Sequence, residues 1–214
     1  MTPKAASQET LALCKLAPVI PVLVIEDPEQ ALPLARALIS GGLPVLEVTL
    51  RTPAAFAAIA EMALADGGIV GAGTVLTPDD VVAAKDAGAR FAVSPGATAK
   101  LLEACEDADL PLLPGAATAS EAMALFERGY STQKFFPAEV SGGAAALKAF
   151  ASPLPKIAFC PTGGIDLARA ADYLKLPNCH CVGGSWVAPP DAVADGDWPR
   201  IEDLAREAAK LQEG

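Results

Sequence analysis

The chain is poor in several residues that common reaction types require. It has one histidine, His180, among 214 residues. A histidine-based triad and a histidine-rich metal centre are therefore both disfavoured. Positive charge is scarce too: 16 Lys and Arg stand against 26 Asp and Glu, a net charge of −10. Nucleic acid and anionic membrane surfaces call for clustered Lys and Arg, which this balance argues against. An anionic substrate stays open, because a pocket can be locally positive within an acidic protein. No apolar run reaches the length of a membrane span. The start, Met1-Thr2-Pro3-Lys4, lacks an apolar signal core, so a cytoplasmic location is expected. There is no low-complexity tract and no repeat of fixed period.

Cysteines number five, at 14, 105, 160, 179 and 181. An odd number in a chain able to build a large core points to reduced thiols. Cys179-His180-Cys181 has the residue types of a metal cluster, but its spacing is too tight for usual zinc ligation. Strand alternation would turn His180 away from the two cysteines. These cysteines read as structural, and neither a metal nor a cofactor is expected.

What the chain has is apolar residue in quantity, 52% hydrophobic against 20% charged, which makes it globular. Its length suits one core, so residues 1–214 are read as a single domain. Strand-like runs alternate with alanine-rich helical stretches. Strands are expected at 19–25, 44–50, 68–75, 91–94, 110–114, 133–137, 157–160 and 179–182. Helices are expected at 28–39, 53–65, from Pro78, and at 97–105, 120–128, 144–150, 167–174 and 201–211. Residues 7–15 read as an extra helix before the first strand, and 188–199 as a surface excursion. Eight such alternations without a long linker predict an α/β chain folded as a (β/α)₈ TIM barrel with an extra N-terminal helix.

A barrel of this kind carries its site at the C-terminal strand ends. Lys134 lies in the apolar run Gln133-Lys134-Phe135-Phe136-Pro137. Burying an ammonium without a partner costs several kcal/mol, so a lysine here is paired, snorkelling or chemically used. Desolvation favours the neutral amine, which is a nucleophile. Glu47, Thr49 and Arg51 share strand parity. Glu47 then faces the barrel mouth, or forms a salt bridge with Arg51 that merely closes the barrel. Thr74 ends the third strand. Gly163 and Gly164 follow the seventh strand, and Gly183-Gly184-Ser185 the eighth. Glycines there let an anion approach backbone N–H groups, where barrels often hold phosphate. A lysine nucleophile, a carboxylate to move protons and an arginine for a substrate carboxylate equip a site for Schiff-base chemistry on a phosphorylated 2-keto acid. A barrel isomerase or epimerase using Glu47 as base, and a non-catalytic phosphometabolite-binding trimer, are the other classes these residues allow.

The stretches Leu46-Glu47-Val48-Thr49-Leu50-Arg51-Thr52, Val70-Gly71-Ala72-Gly73-Thr74-Val75-Leu76 and Ser94-Pro95-Gly96 are distinctive together. So are Lys134-Phe135-Phe136-Pro137-Ala138-Glu139, Phe159-Cys160-Pro161-Thr162-Gly163-Gly164-Ile165 and Gly183-Gly184-Ser185-Trp186. In this order they resemble the 2-keto-3-deoxy-6-phosphogluconate (KDPG) aldolases and the related 4-hydroxy-2-oxoglutarate (KHG) aldolases. The resemblance implies a homotrimeric class I aldolase of the Entner–Doudoroff pathway that releases pyruvate and glyceraldehyde 3-phosphate. It assigns Lys134 to the Schiff base and Glu47 to proton shuttling. Arg51 and Thr74 fall around the pyruvate carboxylate, and Pro95 at the site rim. Thr162 falls beside the substrate hydroxyls, and Gly163, Gly164, Gly184 and Ser185 in the phosphate loop. The galactonate epimer and the unphosphorylated 4-hydroxy-2-oxoglutarate are alternative substrates within the same chemistry. Gln133 departs from the family, where an aromatic residue usually precedes the lysine. Alternation turns it to the helix layer, where an unpaired amide costs roughly 1–3 kcal/mol.

Overall fold

The computed structural model describes residues 1–212. Helix α1 (Pro3–Cys14) opens the chain. It starts four residues before the expected helix, because the Thr2 side chain accepts from Ala5 N–H and Pro3 suits a first turn. Then β1 (Val19–Leu23), α2 (Ala31–Ser40), β2 (Val45–Thr49), α3 (Ala55–Met62), β3 (Ile69–Gly73) and α4 (Pro78–Asp86) alternate. They are followed by β4 (Ala92–Val93), α5 (Ala99–Asp107), β5 (Leu112–Leu113), β6 (Gly115–Ala116), α6 (Ala119–Arg128) and β7 (Thr132–Phe135). The chain continues through α7 (Gly143–Ala151), β8 (Ala158–Pro161), α8 (Leu167–Leu174), β9 (Val182–Gly184), α9 (Pro190–Asp195) and α10 (Trp198–Ala209). Helix starts are written locally. Thr77 with Asp80, and Thr118 with Glu121, form capping boxes.

The result is an α/β fold of parallel strands in two curled sheets, ordered β5-β4-β3-β2-β1-β9 and β6-β7-β8. The expected fifth strand is split at Pro114, which has no N–H to give a ladder. Two isolated parallel bridges, Phe159 with Cys179 and Thr162 with Gly183, connect the β8 segment to the chain around β9. The expected last strand at 179–182 is displaced. Cys179 closes a turn, its N–H bonded to the Leu176 carbonyl, and makes only the isolated bridge to Phe159, while the continuous ladder begins at Val182.

Two apolar clusters fill the molecule. The larger lies between strands and helices and includes Leu38, Leu46, Ile59, Leu101, Phe135 and Ile201. The smaller gathers Ile20, Val45, Phe91, Val93 and Leu113 with Cys14, Cys160 and Cys181. Alternate residues of one strand enter different clusters, Val45 the smaller and Leu46 the larger. Strands covered on both faces therefore read as unbroken apolar runs. Among the described residues, no helix is long and apolar enough to cross a membrane.

Candidate active site

Val45 faces the smaller cluster, so Glu47, two residues further along β2, points the same way. Lys134 reaches the same point from β7. Its Nζ donates to Glu47 Oε1 at 3.2 Å. Both residues are buried, at 4% and 3% exposure, so this is a desolvated ion pair, in which each charge depends on the other. The Phe136 ring centroid lies 5.3 Å from Nζ, within reach of a cation–π contact. Room for the carboxylate comes from β3. A Cβ on Gly73 would overlap Glu47 Oε1 and Cγ. Sequence alone left open a salt bridge between Glu47 and Arg51. The carboxylate pairs instead with Lys134, and Arg51 Nε donates to Thr74 Oγ1 at 3.3 Å. Thr74 sits in the left-handed region at φ 60°, an uncommon place for a β-branched residue.

Phe136, next to this pair, also lines a cavity of about 510 Å³. Its lining includes Arg51, Thr162, Gly163, Gly164, Gly184 and Ser185, together with Phe136 and the β1-end residues Val22 and Val24. Lys134 and Glu47 are absent from that lining, consistent with their burial. Thr74 is absent too, and meets the cavity only through Arg51. Pro95 lines a second cavity, of about 540 Å³, and Phe136 borders both. Gly163 and Gly164 adopt φ 107° and 77°, which suits glycine. Gly183 and Gly184 differ from expectation, since they lie inside β9 and not in a loop after it. A Cβ at 183 would overlap Thr162 Oγ1, and one at 184 the Trp186 ring. Thr162 Oγ1 is buried without a hydrogen-bond partner.

Several contributors were not anticipated. The presumed excursion at 188–199 contains α9, and Ala188, Pro190, Val193 and Ala194 wall the cavity. Pro190 followed by Asp191 is a helix-start signal that could have found it. The Glu139 carboxylate accepts from Tyr173 Oη and pairs with Arg169 Nε at 3.4 Å. Arg169 also donates to the Gly164 carbonyl at 3.2 Å, bracing the glycine turn. Burial, with the Glu139 carboxylate adding, pushes the Tyr173 phenol above its ordinary range.

Gln133 is fully buried and faces the helix layer. Its Nε2 donates to the carbonyls of Ala122 at 3.0 Å and Tyr130 at 2.8 Å, while Oε1 has no partner. A Gln133→Leu variant removes that orphan but leaves the Tyr130 carbonyl without its donor. The expected result is a loss of about 1–2 kcal/mol in urea unfolding with kcat unchanged. A marked fall in kcat at full folding would refute a purely structural role.

A family model described as "KDPG and KHG aldolase" matches residues 11–204. The 2-dehydro-3-deoxy-phosphogluconate aldolase of Pseudoalteromonas atlantica is 50% identical over 206 residues, 96% of this chain and 94% of that protein. The KDPG aldolase of Zymomonas mobilis, solved with 3-phosphoglycerate, is 47% identical at a TM-score of 0.91, covering 96% of this chain and 97% of that one. The KDPG aldolase of Legionella pneumophila, holding pyruvate as a covalent carbinolamine intermediate, is 45% identical at a TM-score of 0.90 and 98% coverage of both chains. With this agreement in sequence and fold on top of the buried lysine–glutamate pair, the chain belongs to the KDPG and KHG aldolase family.

Proposed function

We propose that the protein is a class I aldolase that cleaves 2-dehydro-3-deoxy-6-phosphogluconate to pyruvate and D-glyceraldehyde 3-phosphate through a Schiff base on Lys134. The observation that carries this is the buried Lys134 Nζ, 3.2 Å from Glu47 Oε1, beside Phe136, which also lines a cavity shared with Arg51 and the glycine turn at Gly163 and Gly164. The pyruvate carbinolamine of the Legionella relative supports the same chemistry.

Lys134 passes a proton to Glu47 and attacks the C2 ketone as the free amine, and the resulting carbinolamine loses water to give a protonated imine. Glu47 supplies and removes the protons of these steps. The imine accepts the electron pair of the C3–C4 bond as that bond breaks, while the C4 hydroxyl gives up its proton and becomes the aldehyde. Glyceraldehyde 3-phosphate leaves. The enamine takes a proton at C3, and water releases pyruvate and restores the amine. Arg51, held by Thr74, faces the substrate carboxylate. The unpartnered Thr162 hydroxyl serves the substrate hydroxyls, and Gly163, Gly164, Gly184 and Ser185 take the phosphate. Pro95, on the far side of Phe136, belongs to the rim. 4-Hydroxy-2-oxoglutarate keeps the 2-keto acid head that Lys134, Glu47 and Arg51 address, and is the second substrate.

Residues 1–214 act as a single domain. The two sheets act as one closed (β/α)₈ barrel, a reading supported by the bridges beside β8 and by Lys134 N–H bonding the Pro114 carbonyl between β5 and β6. The working form is a cytoplasmic homotrimer, in keeping with the resemblance. Exposed Met123, Phe126 and Val140 are apolar side chains a subunit contact would cover.

Borohydride reduction in the presence of pyruvate tests the chemistry. The expected product is a stable adduct on Lys134 alone. A label on exposed Lys156, at the opposite end of β8, or no label, would overturn the assignment.

A further inference from the structure

Three cysteines from remote parts of the chain meet in the smaller apolar cluster. Cys14 is the last residue of α1, Cys160 lies within β8, and Cys181 immediately precedes β9. All three are free and buried, and their sulfurs lie within 4.8 Å of one another. Cys105 and Cys179 stand outside this group, and the Cys179 thiol donates to the Cys181 carbonyl at 3.4 Å. Strand alternation had suggested that Cys179 and Cys181 share a face. The turn at Cys179 breaks the alternation, so that Cys179 joins the larger cluster and Cys181 the smaller.

A pyramidal centre with three sulfur ligands at about 2.3 Å and bond angles of about 100°, the geometry of a trivalent ion with a lone pair, spaces its sulfurs roughly 3.5 Å apart. From separations of up to 4.8 Å the cluster needs to tighten by at most about 1.3 Å to reach that spacing, an adjustment of three side chains at a helix end and on or beside two strands. Charge decides which ion fits. Three thiolates around a monovalent ion leave two negative charges in the core, and around a divalent ion one. Around a trivalent ion they leave none. The surroundings are Ile20, Val45, Phe91, Val93 and Leu113, which cannot compensate a charge, and an unpaired buried charge is costly. The nearby ammonium of Lys134 is already committed to Glu47. Zinc would need a fourth ligand, and among the described residues no histidine or carboxylate joins the three sulfurs.

We infer that Cys14, Cys160 and Cys181 form a capture site for a trivalent thiophilic ion, with arsenite as its probe. In the reaction three S–H bonds and three As–O bonds break and three As–S bonds form. The three thiol protons leave with the three hydroxyls as water, and no atom changes oxidation state. Entry follows local undocking of α1, which packs on β5 and β7 and is fixed to the start of β7 through Ser7. The Ser7 hydroxyl accepts from the N–H groups of Ser131 and Thr132. A single helix can open locally without unfolding of the whole. Once bound, the ion cross-links α1 to β8 and to the start of β9. It also lies directly under the nucleophile's strand, since Cys160 is the register partner of Lys134.

The test is native mass spectrometry and thermal unfolding of the reduced full chain with arsenite. One arsenic per chain with loss of three thiol hydrogens is expected, together with a higher melting temperature, because only the folded state holds the site. X-ray absorption at the arsenic edge should report three sulfur neighbours. Cys14→Ala should abolish both retention and the thermal shift, and Cys181→Ala, the second variant, should do the same. Cys105→Ala and Cys179→Ala should bind like the parent. No retained arsenic, two sulfur neighbours, retention undiminished in the folded Cys14→Ala or Cys181→Ala protein, or loss in Cys179→Ala would each overturn the site.

Discussion

Replacing Lys134 by methionine is expected to lower aldol cleavage on the order of 10⁶-fold, the scale on which deletion of a covalent nucleophile acts, and to abolish the borohydride adduct. The methionine keeps the stem that packs in the site and removes the amine. Pyruvate release coupled to NADH oxidation measures the effect. Substantial remaining turnover would favour an isomerase-like use of Glu47 as a base without a covalent step. The same substitution tests the energetics of the pair. With Glu47 buried and its partner removed, a loss of about 3–5 kcal/mol in stability is expected. Adding Glu47→Leu to Lys134→Met should restore much of it, because two apolar side chains replace the pair without leaving a charge in the core. A double variant no more stable than the single one would mean that the pair is not the main electrostatic link there.

The second large effect belongs to Glu47→Gln. The amide preserves volume and can still accept from Lys134 Nζ, so the fold and substrate binding should be largely kept. What is lost is a group that takes up and returns protons, worth about 10²–10⁴-fold in rate. The expected pattern is a fall in kcat with KM little changed, since the missing interaction acts in the chemical steps and not in binding. Single-turnover mixing with pyruvate should show slow imine formation. A kcat near that of the parent would leave Glu47 only the structural task of holding Lys134.

The alternation of strands and helices was legible because each element carries its own period and caps. Lys134, Glu47, Arg51 and the glycine turn were legible because a charge inside an apolar strand, or glycines past its end, conflict with local rules unless a site resolves them. Other features were hidden for physical reasons. Thiols at 14, 160 and 181 meet only through the register of β1, β8 and β9 around α1, which no local pattern contains. The partners of Gln133 are backbone carbonyls, which leave no trace in side-chain identity. The eighth strand was placed too early because Cys179-His180-Cys181 has strand composition, while the turn after Leu176 is what holds Cys179. Gly183 and Gly184 looked like a loop because glycine usually marks one. In the structure they thin β9 where Thr162 and Trp186 press against it.

Gly73 and Thr74 form a neighbouring pair whose order is the reverse of what the backbone alone would choose. Glycine inside a strand gives up roughly 0.5–1 kcal/mol relative to alanine, and a threonine held in the left-handed region carries about 1–3 kcal/mol of strain. Exchanging the two would relax both positions. It would also drive a side chain into the Glu47 carboxylate and take away the hydroxyl that receives Arg51 Nε. In the proposed site, two adjacent residues thus set folding against chemistry, with chemistry favoured at both. A thermostabilising redesign that follows backbone preference at this strand end would convert a working site into a better-folded, inactive one.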